Sequence, residues 1–351
     1  MTLPGVLRRA AFVAVVLGVV GCGPMEETGG PEPIKRQLVY EKVVGETGVW
    51  VADVDGSRPR LLVREGQLPV LSPDGKLVAY FADCRASKLG CTYVVSTSGG
   101  KPRVLSTRRL DEWITWSPTS ERIASTSGGD EEDELVSIDV ASGEDVTLAR
   151  AAQFFGWSFS PDGERVVFAR AGRTADGYIS DEIDLFVTAA DGAGETRRIT
   201  ETGDSSDPVW GPTSIAFTRL SEIWQIQPDG SGRASVTRPL PKRSAGQRRG
   251  VLFPIDWSED GSVLLAGLVD DWGGQPIAVD PETGATRELG RFGRPLGADT
   301  IGLSRDGRSA LVQEGHRAHV PRQKMTVLIV PYQGGKPTIV ARGALTPSWN
   351  R

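Results

Sequence analysis

Histidine is nearly absent: 351 residues contain only two, His316 and His319, in the stretch Gly-His-Arg-Ala-His-Val-Pro. A histidine-rich metal centre cannot be assembled from two imidazoles three positions apart, and no third ligand is identifiable near them, so they read as solvated loop residues. Catalytic signatures are lacking too. There is no Gly-x-Ser-x-Gly elbow, no hydrolase domain after the repeats and no Walker loop, which leaves Ser-His-Asp chemistry and nucleotide hydrolysis without support. The acidic run Asp130 to Glu134 (DEEDE) lacks the alternating spacing and glycine of a calcium loop and reads as a solvated hairpin tip. Basic excess is missing as well: the formal net charge is −5, which argues against nucleic acid and against electrostatic attachment to anionic lipid. No cofactor is expected.

Cysteine is scarce, and its three positions are informative. Arg8 and Arg9 precede an apolar stretch, Ala10 to Val20, of 11 residues, too short to span a bilayer as a permanent helix. The stretch ends in Val19-Val20-Gly21-Cys22. That order of charge, apolar core, small residue and cysteine resembles a bacterial lipobox, which implies residues 1–21 as a signal peptide and Cys22 as the lipidated residue; an ordinary export signal with an incidental cysteine is the alternative. Cleavage would leave 351 − 21 = 330 residues with a formal charge of −5 − 2 = −7. Membrane attachment would then run through acyl chains only. Residues 22–36 supply the lipidated cysteine and a Gly/Pro/Glu-rich tether whose flexible reach is roughly 20 Å. Cys84 and Cys91 flank Arg-Ala-Ser-Lys-Leu-Gly, and outside the cytoplasm six residues between paired strands can bring them within bridging distance, so a disulfide is expected, with two free thiols as the alternative.

What is abundant is a repeat. Phe159 to Phe168 reads FSPDGERVVF, in which Pro161 presets a turn, Asp162 bonds its own backbone and Gly163 accepts positive φ between two apolar runs. Degraded copies start at Leu71, Trp116, Trp210, Trp257 and Leu303, with a partial copy at Trp349-Asn350-Arg351. Counted at Ser72, Ser117, Ser160, Gly211, Ser258, Ser304 and Asn350, the gaps are 45, 43, 51, 47, 46 and 46 residues. A period in the forties with strand character throughout is that of a β-propeller blade. A second marker, the glycine turn after each outer apolar run (Asp55-Gly56 through Gly334-Gly335), also counts seven. The fold class is therefore all-β, a seven-bladed β-propeller over residues 37–351. The first blade lacks an innermost strand, and Ala344 to Asn350 has the right phase to supply it, closing the ring and removing exposed edges. Trp116, Trp210, Trp257 and Trp349 recur in register and read as core between blades.

The (W/F)SPDG(K/E)xxAF pattern, followed by a strand and a DG or GG turn, resembles the PD40 or TolB-like propeller repeats. The Gly-His and Trp-Asp dipeptides of WD40 repeats do not recur. Such repeats also occur in oligogalacturonate lyases, whose histidine-rich metal centre this composition disfavours, and as non-catalytic propellers of prolyl oligopeptidase-type enzymes. The SPDG and glycine turns are expected on one rim and the longer connections on the other: Asp83 to Gly90, Ser127 to Glu134, Ala171 to Asp181, Thr237 to Leu252, Asp270 to Gln275 and Glu314 to Lys324. Rigidly held long loops are where binding resides. One of them carries Arg238, Lys242, Arg243, Arg248 and Arg249 on an otherwise acidic chain.

These readings imply a monomeric, lipid-anchored, extracytoplasmic scaffold on the outer membrane, binding an envelope protein or anionic glycan through its long-loop rim. The alternative is a carbohydrate-active or hydrolytic enzyme with carboxylates in the central channel, and mapping charges onto that channel discriminates the two.

Overall fold

The computed structural model describes residues 36–108, 110, 113–128, 132–238, 250–270, 273–290, 292, 298–315 and 324–350. Within them the strands form seven four-stranded antiparallel sheets, arranged as the blades of a ring. Innermost strand first, blade 1 is Ala344–Trp349, Gln37–Lys42, Gly48–Asp53 and Arg60–Val63. Blade 2 is Gln67–Leu71, Leu77–Cys84, Ser87–Ser96 and Arg103–Ser106; blade 3 is Thr115–Trp116, Arg122–Ser127, Asp133–Asp139 and Asp145–Ala151. Blade 4 is Gln153–Phe159, Arg165–Arg173, Ile179–Ala189 and Arg197–Arg198; blade 5 is Ser205–Trp210, Ile215–Arg219, Glu222–Ile226 and Ala234–Ser235. Blade 6 is Val251–Trp257, Leu264–Asp270, Gly273–Val279 and Thr286–Glu288; blade 7 is Ala298–Leu303, Ser309–Glu314, Thr326–Pro331 and Thr338–Arg342.

The core is divided among the seams between blades. Val166, Val167, Phe168 and Ala169, consecutive on the second strand of blade 4, are all fully buried. Alternate residues face opposite ways, so Val167 and Ala169 join the cluster shared with blade 5, while Val166 and Phe168 join the one shared with blade 3. Apolar residues on both faces of one strand therefore signal a sheet covered on both sides. Trp116, Trp210 and Trp349 are buried in these seams, and Trp257 packs partly buried against the seam between blades 5 and 6.

The repeated serine explains itself in the turns. Ser160 is buried; its hydroxyl donates to Asp162 and accepts the Arg165 amide at 2.9 Å, while Gly163 takes φ 76°. The same pair of bonds recurs at Ser72, Ser258 and Ser304, with their carboxylate partners at 2.6 to 2.7 Å. Blade 5 departs from the pattern at Gly211, where a Cβ would stand 2.8 Å from the Trp257 ring of the next blade.

Closure reproduces this turn without a turn. The last strand pairs antiparallel with Gln37–Lys42, Trp349 opposite Leu38 and Ala344 opposite Lys42. Asn350 occupies the serine position, and its side-chain oxygen accepts the Gln37 amide at 2.8 Å across 313 residues. Ala344, Leu345 and Trp349 are buried by the pairing. Burying one large apolar side chain is worth about 1.5–3 kcal/mol, against a net stability of about 5–15 kcal/mol for a typical domain. Deleting Ala344 to Arg351 is therefore expected to abolish a single cooperative thermal transition. A truncated chain that melts like the parent would show that this strand does not close the ring.

Candidate functional site

The innermost strands line the channel, and most are bent in nearly the same place. In the six blades other than blade 3, the register between innermost and second strand slips by one residue. In four blades the slip coincides with positive φ three residues before the aromatic or leucine that enters the turn: Leu68 (52°), Gly156 (96°), Asp207 (51°) and Thr346 (47°). Such conformations cost about 1–3 kcal/mol for residues with a side chain and persist only where the surroundings impose them. The imposing groups come from the preceding blade. Glu41, 8% exposed, accepts the Leu68 amide at 3.2 Å, and Gln313, at the matching position of blade 7, accepts the Thr346 amide at 2.6 Å. At Asp207 the preceding blade instead presents Gly156, where a Cβ would lie 3.1 Å from the Asp207 Cα.

One step further along, the innermost strands are laced to one another. Side chains just before the turn aromatic accept amides of the next blade: Ser348 from Leu71 at 3.0 Å, Ser158 from Trp210 at 3.2 Å, and Asp256 from Leu303 at 2.8 Å. Elsewhere the indole donates backwards, Trp116 Nε1 to the Val70 carbonyl at 3.1 Å and Trp257 Nε1 to that of Val209 at 3.4 Å.

The carboxylates on or beside these strands serve the wall. Asp204 is held by Arg219 at 2.8 Å, Asp256 receives the Leu303 amide, and Asp299 receives the Gln313 amide group at 3.4 Å. Asp207 differs. Burial pushes its carboxyl above the ordinary carboxylate range, against hydrogen bonds from Ser206 and Thr218 that favour the anion. Among the described residues no group of three or more His, Cys, Asp or Glu side chains is placed to hold a metal ion.

On the opposite rim from the SPDG turns, several connections are tighter than their sequence suggests. The strands of blade 2 run on to Cys84 and from Ser87, leaving Arg85-Ala86 at the tip; Cys84 lies opposite Ser87 and Cys91 opposite Ala82, with a register slip between. The two cysteines form a disulfide with Cα atoms 5.7 Å apart. The acidic run is not wholly a tip, because Asp133 and Glu134 belong to a strand and Glu134 receives Arg108 and Arg150. Buried Asp184 pins the approach to blade 5 by receiving Thr200 Oγ1 at 2.7 Å, the Thr202 amide at 3.0 Å and Arg198. Sequence reasoning missed Glu41, Asp184, Asp207 and Gln313, none of which has the same residue type at the matching position of every blade. Arg238 is exposed on this rim. Cys22, Lys242, Arg243, Arg248, Arg249, His316 and His319 lie outside the described residues.

The raised carboxyl of Asp207 has a definite sign. A group protonated more readily in the fold than in the open chain adds stability below its ordinary pKa, and that stability is lost as pH rises through the folded value. Asp207→Asn keeps the shape, tolerates positive φ and removes the ionisation. The variant should melt above the parent at neutral pH and level with it near a pH of about 4. Thermal melts at the two pH values check this, and an equal gap at both would contradict it.

No known protein family matches the sequence, and no curated protein does. Solved structures do match. TolB from Acinetobacter baumannii superposes with a TM-score of 0.50 at 14% identity, over 88% of this chain and 81% of that one. An oligogalacturonate lyase in complex with manganese gives 0.59 at 16%, over 87% and 85%, and the β-propeller domain of the Trilobed protease from Pyrococcus furiosus gives 0.61 at 11%, over 87% and 91%. At such identities the likeness is one of fold. The chain is a TolB-like seven-bladed β-propeller, a fold it has in common with TolB, an oligogalacturonate lyase and a protease propeller domain.

Proposed function

We propose that this protein is a non-catalytic binding scaffold of the bacterial cell envelope, held to the membrane by a lipidated Cys22 and engaging an envelope protein or anionic glycan through its long-loop rim. The observation that carries the reading is the use of the channel carboxylates. Asp204 and Asp299 receive donors from Arg219 and Gln313 on the second strands of their own blades, and Asp256 receives the Leu303 amide of the next innermost strand, so their charge is spent on holding strands together. On the rim, the Thr237 to Leu252 connection carries five cations in sequence: Arg238, Lys242, Arg243, Arg248 and Arg249. Guanidinium groups suit carboxylates because each presents two parallel donors. The resemblance to TolB and the lipobox pattern support an envelope location.

A second reading rests on Asp207, a half-buried carboxyl held at raised pKa on the innermost strand, the kind of group that serves as a general acid. Turnover of a polysaccharide or peptide by the parent, lost in Asp207→Asn, would decide for it.

Replacing Arg243, Arg248 and Arg249 together by Ala is expected to weaken capture of a cross-linked envelope partner and to flatten its salt dependence, with little change in melting temperature. Unchanged capture by a stable triple variant would remove this loop from the binding face. Cys22→Ser should shift the protein from membrane pellets to the soluble fraction or leave it unprocessed, and acyl label still entering that variant would refute the lipidation.

A further inference from the structure

Innermost strands of adjacent blades are tied together one residue before the turn aromatic or leucine, and the tie takes one of two forms. Where that residue has a side-chain oxygen, as at Ser348, Ser158 and Asp256, the oxygen accepts an amide of the next blade. Where it is valine, as at Val70 and Val209, the tryptophan of the next blade donates its indole N–H to the valine carbonyl. The seam from blade 3 to blade 4 has no indole to satisfy, because its turn aromatic is Phe159. The seam that closes the ring has one and follows neither form. Blade 7 places Gly302 at this position, with no side chain to accept a bond, and Nε1 of Trp349 in blade 1 is buried without a hydrogen-bond partner.

The glycine shapes the space beside that indole. A Cβ on Gly302 would stand 3.6 Å from Trp349 Nε1 and 3.3 Å from Asp256 Oδ2. One point thus lies within a few tenths of an ångström of hydrogen-bond distance from a donor on blade 1 and an acceptor on blade 6. The acceptor has capacity: Oδ2 takes the Leu303 amide at 2.8 Å, and a carboxylate oxygen has a second lone pair. Gly302 is not at positive φ, so backbone geometry does not call for glycine there. Thr300 and Thr346, on the same two innermost strands, also carry buried hydroxyls without a partner. Trp157 and Trp224 have unpartnered buried indoles too, but what marks Trp349 is a carboxylate across a gap of side-chain size. A buried indole N–H is costly to leave unmet.

We infer that Gly302 marks a binding site for a single structural water, which accepts from Trp349 Nε1, donates to Asp256 Oδ2 and ties the last blade to the first. The donor and the acceptor select the occupant. It must accept on one side and donate on the other, which rules out ammonium and metal cations, with no lone pair for the indole proton, and anions, with no proton for the carboxylate. A position the width of one methyl group rules out anything larger than water. The bridge joins innermost strands of blades 6, 7 and 1, so the Asp256 carboxylate serves two seams, through the Leu303 amide in one and through water in the other.

Two substitutions separate the hydroxyl from the volume. Gly302→Ser and Gly302→Ala both displace the water and restrict the unfolded chain alike, but only serine returns an oxygen able to accept from the indole and donate to the carboxylate. Gly302→Ser should melt about 2 °C or more above Gly302→Ala. The gap should shrink by about half or more in a Trp349→Phe background, where no indole N–H remains to be met. A crystal structure of the parent is the second measure, independent of whether Trp349→Phe folds. It should show an ordered oxygen within hydrogen-bond distance of both Trp349 Nε1 and Asp256 Oδ2, replaced in the Gly302→Ser crystal by the serine Oγ. Equal melting of the two Gly302 variants overturns the proposal, as does a parent crystal with no ordered oxygen beside Gly302 and Trp349 Nε1 bonded directly to a protein carbonyl.

Discussion

Every sheet in this protein is apolar on both faces, so no blade can fold against water on either side, and only a closed ring gives each face a neighbour. Seven blades produce seven seams, and each buried cluster is shared by two adjacent sheets. One open seam would expose two apolar faces and two strand edges at once. Antiparallel pairing of Ala344–Trp349 with Gln37–Lys42 closes that seam, and the Asn350 bond to the Gln37 amide restores there the polar contact that serine makes within the other turns.

Closure has consequences for the channel. Crowding seven innermost strands around an axis brings backbone amides and carbonyls of different blades together, and they must find partners. Serine and aspartate before the turn aromatic, or the indole of the aromatic itself, supply them. The bulges follow from the same crowding, with Glu41 and Gln313 capturing amides that the distorted strands turn away from their own sheet. Polar residues in the channel wall thus have a structural occupation. Asp207 stands apart because hydroxyls rather than a cation or an amide of the next blade meet its carboxylate, leaving burial to dominate its protonation. At the opposite rim the packing constraint is relaxed, and strain and exposed apolar area collect there, at Leu220 above all.

Much of this was legible in the residues. A turn of Pro, Asp and Gly between apolar runs is local chemistry, and its recurrence at intervals in the forties announces blades whose count is the count of turns. Trp349 in phase with the other copies identifies the closing strand, because phase within a repeat carries over to position within a blade. The Cys84–Cys91 bridge was legible from spacing, although the register slip that separates the two cysteines' cross-strand partners was not. Loop lengths were overestimated for a physical reason: hairpins rich in polar residues, such as Ile179–Ala189 and its partner, keep pairing beyond the edge of the core, where backbone bonds need no apolar pattern to form.

Sequence alone therefore determined fold class, blade number and the seam residues, since all three are written as periodic local signals. Tertiary structure decided what repeats cannot encode. Glu41 reads Leu68, Gln313 reads Thr346 and Trp257 takes the space of a missing side chain at Gly211, pairings between residues 27, 33 and some 46 positions apart that share no pattern. The strain at Asp207 and Leu220 is equally invisible in the chain, because positive φ is imposed by neighbours and leaves no mark in the identity of the residue that bears it.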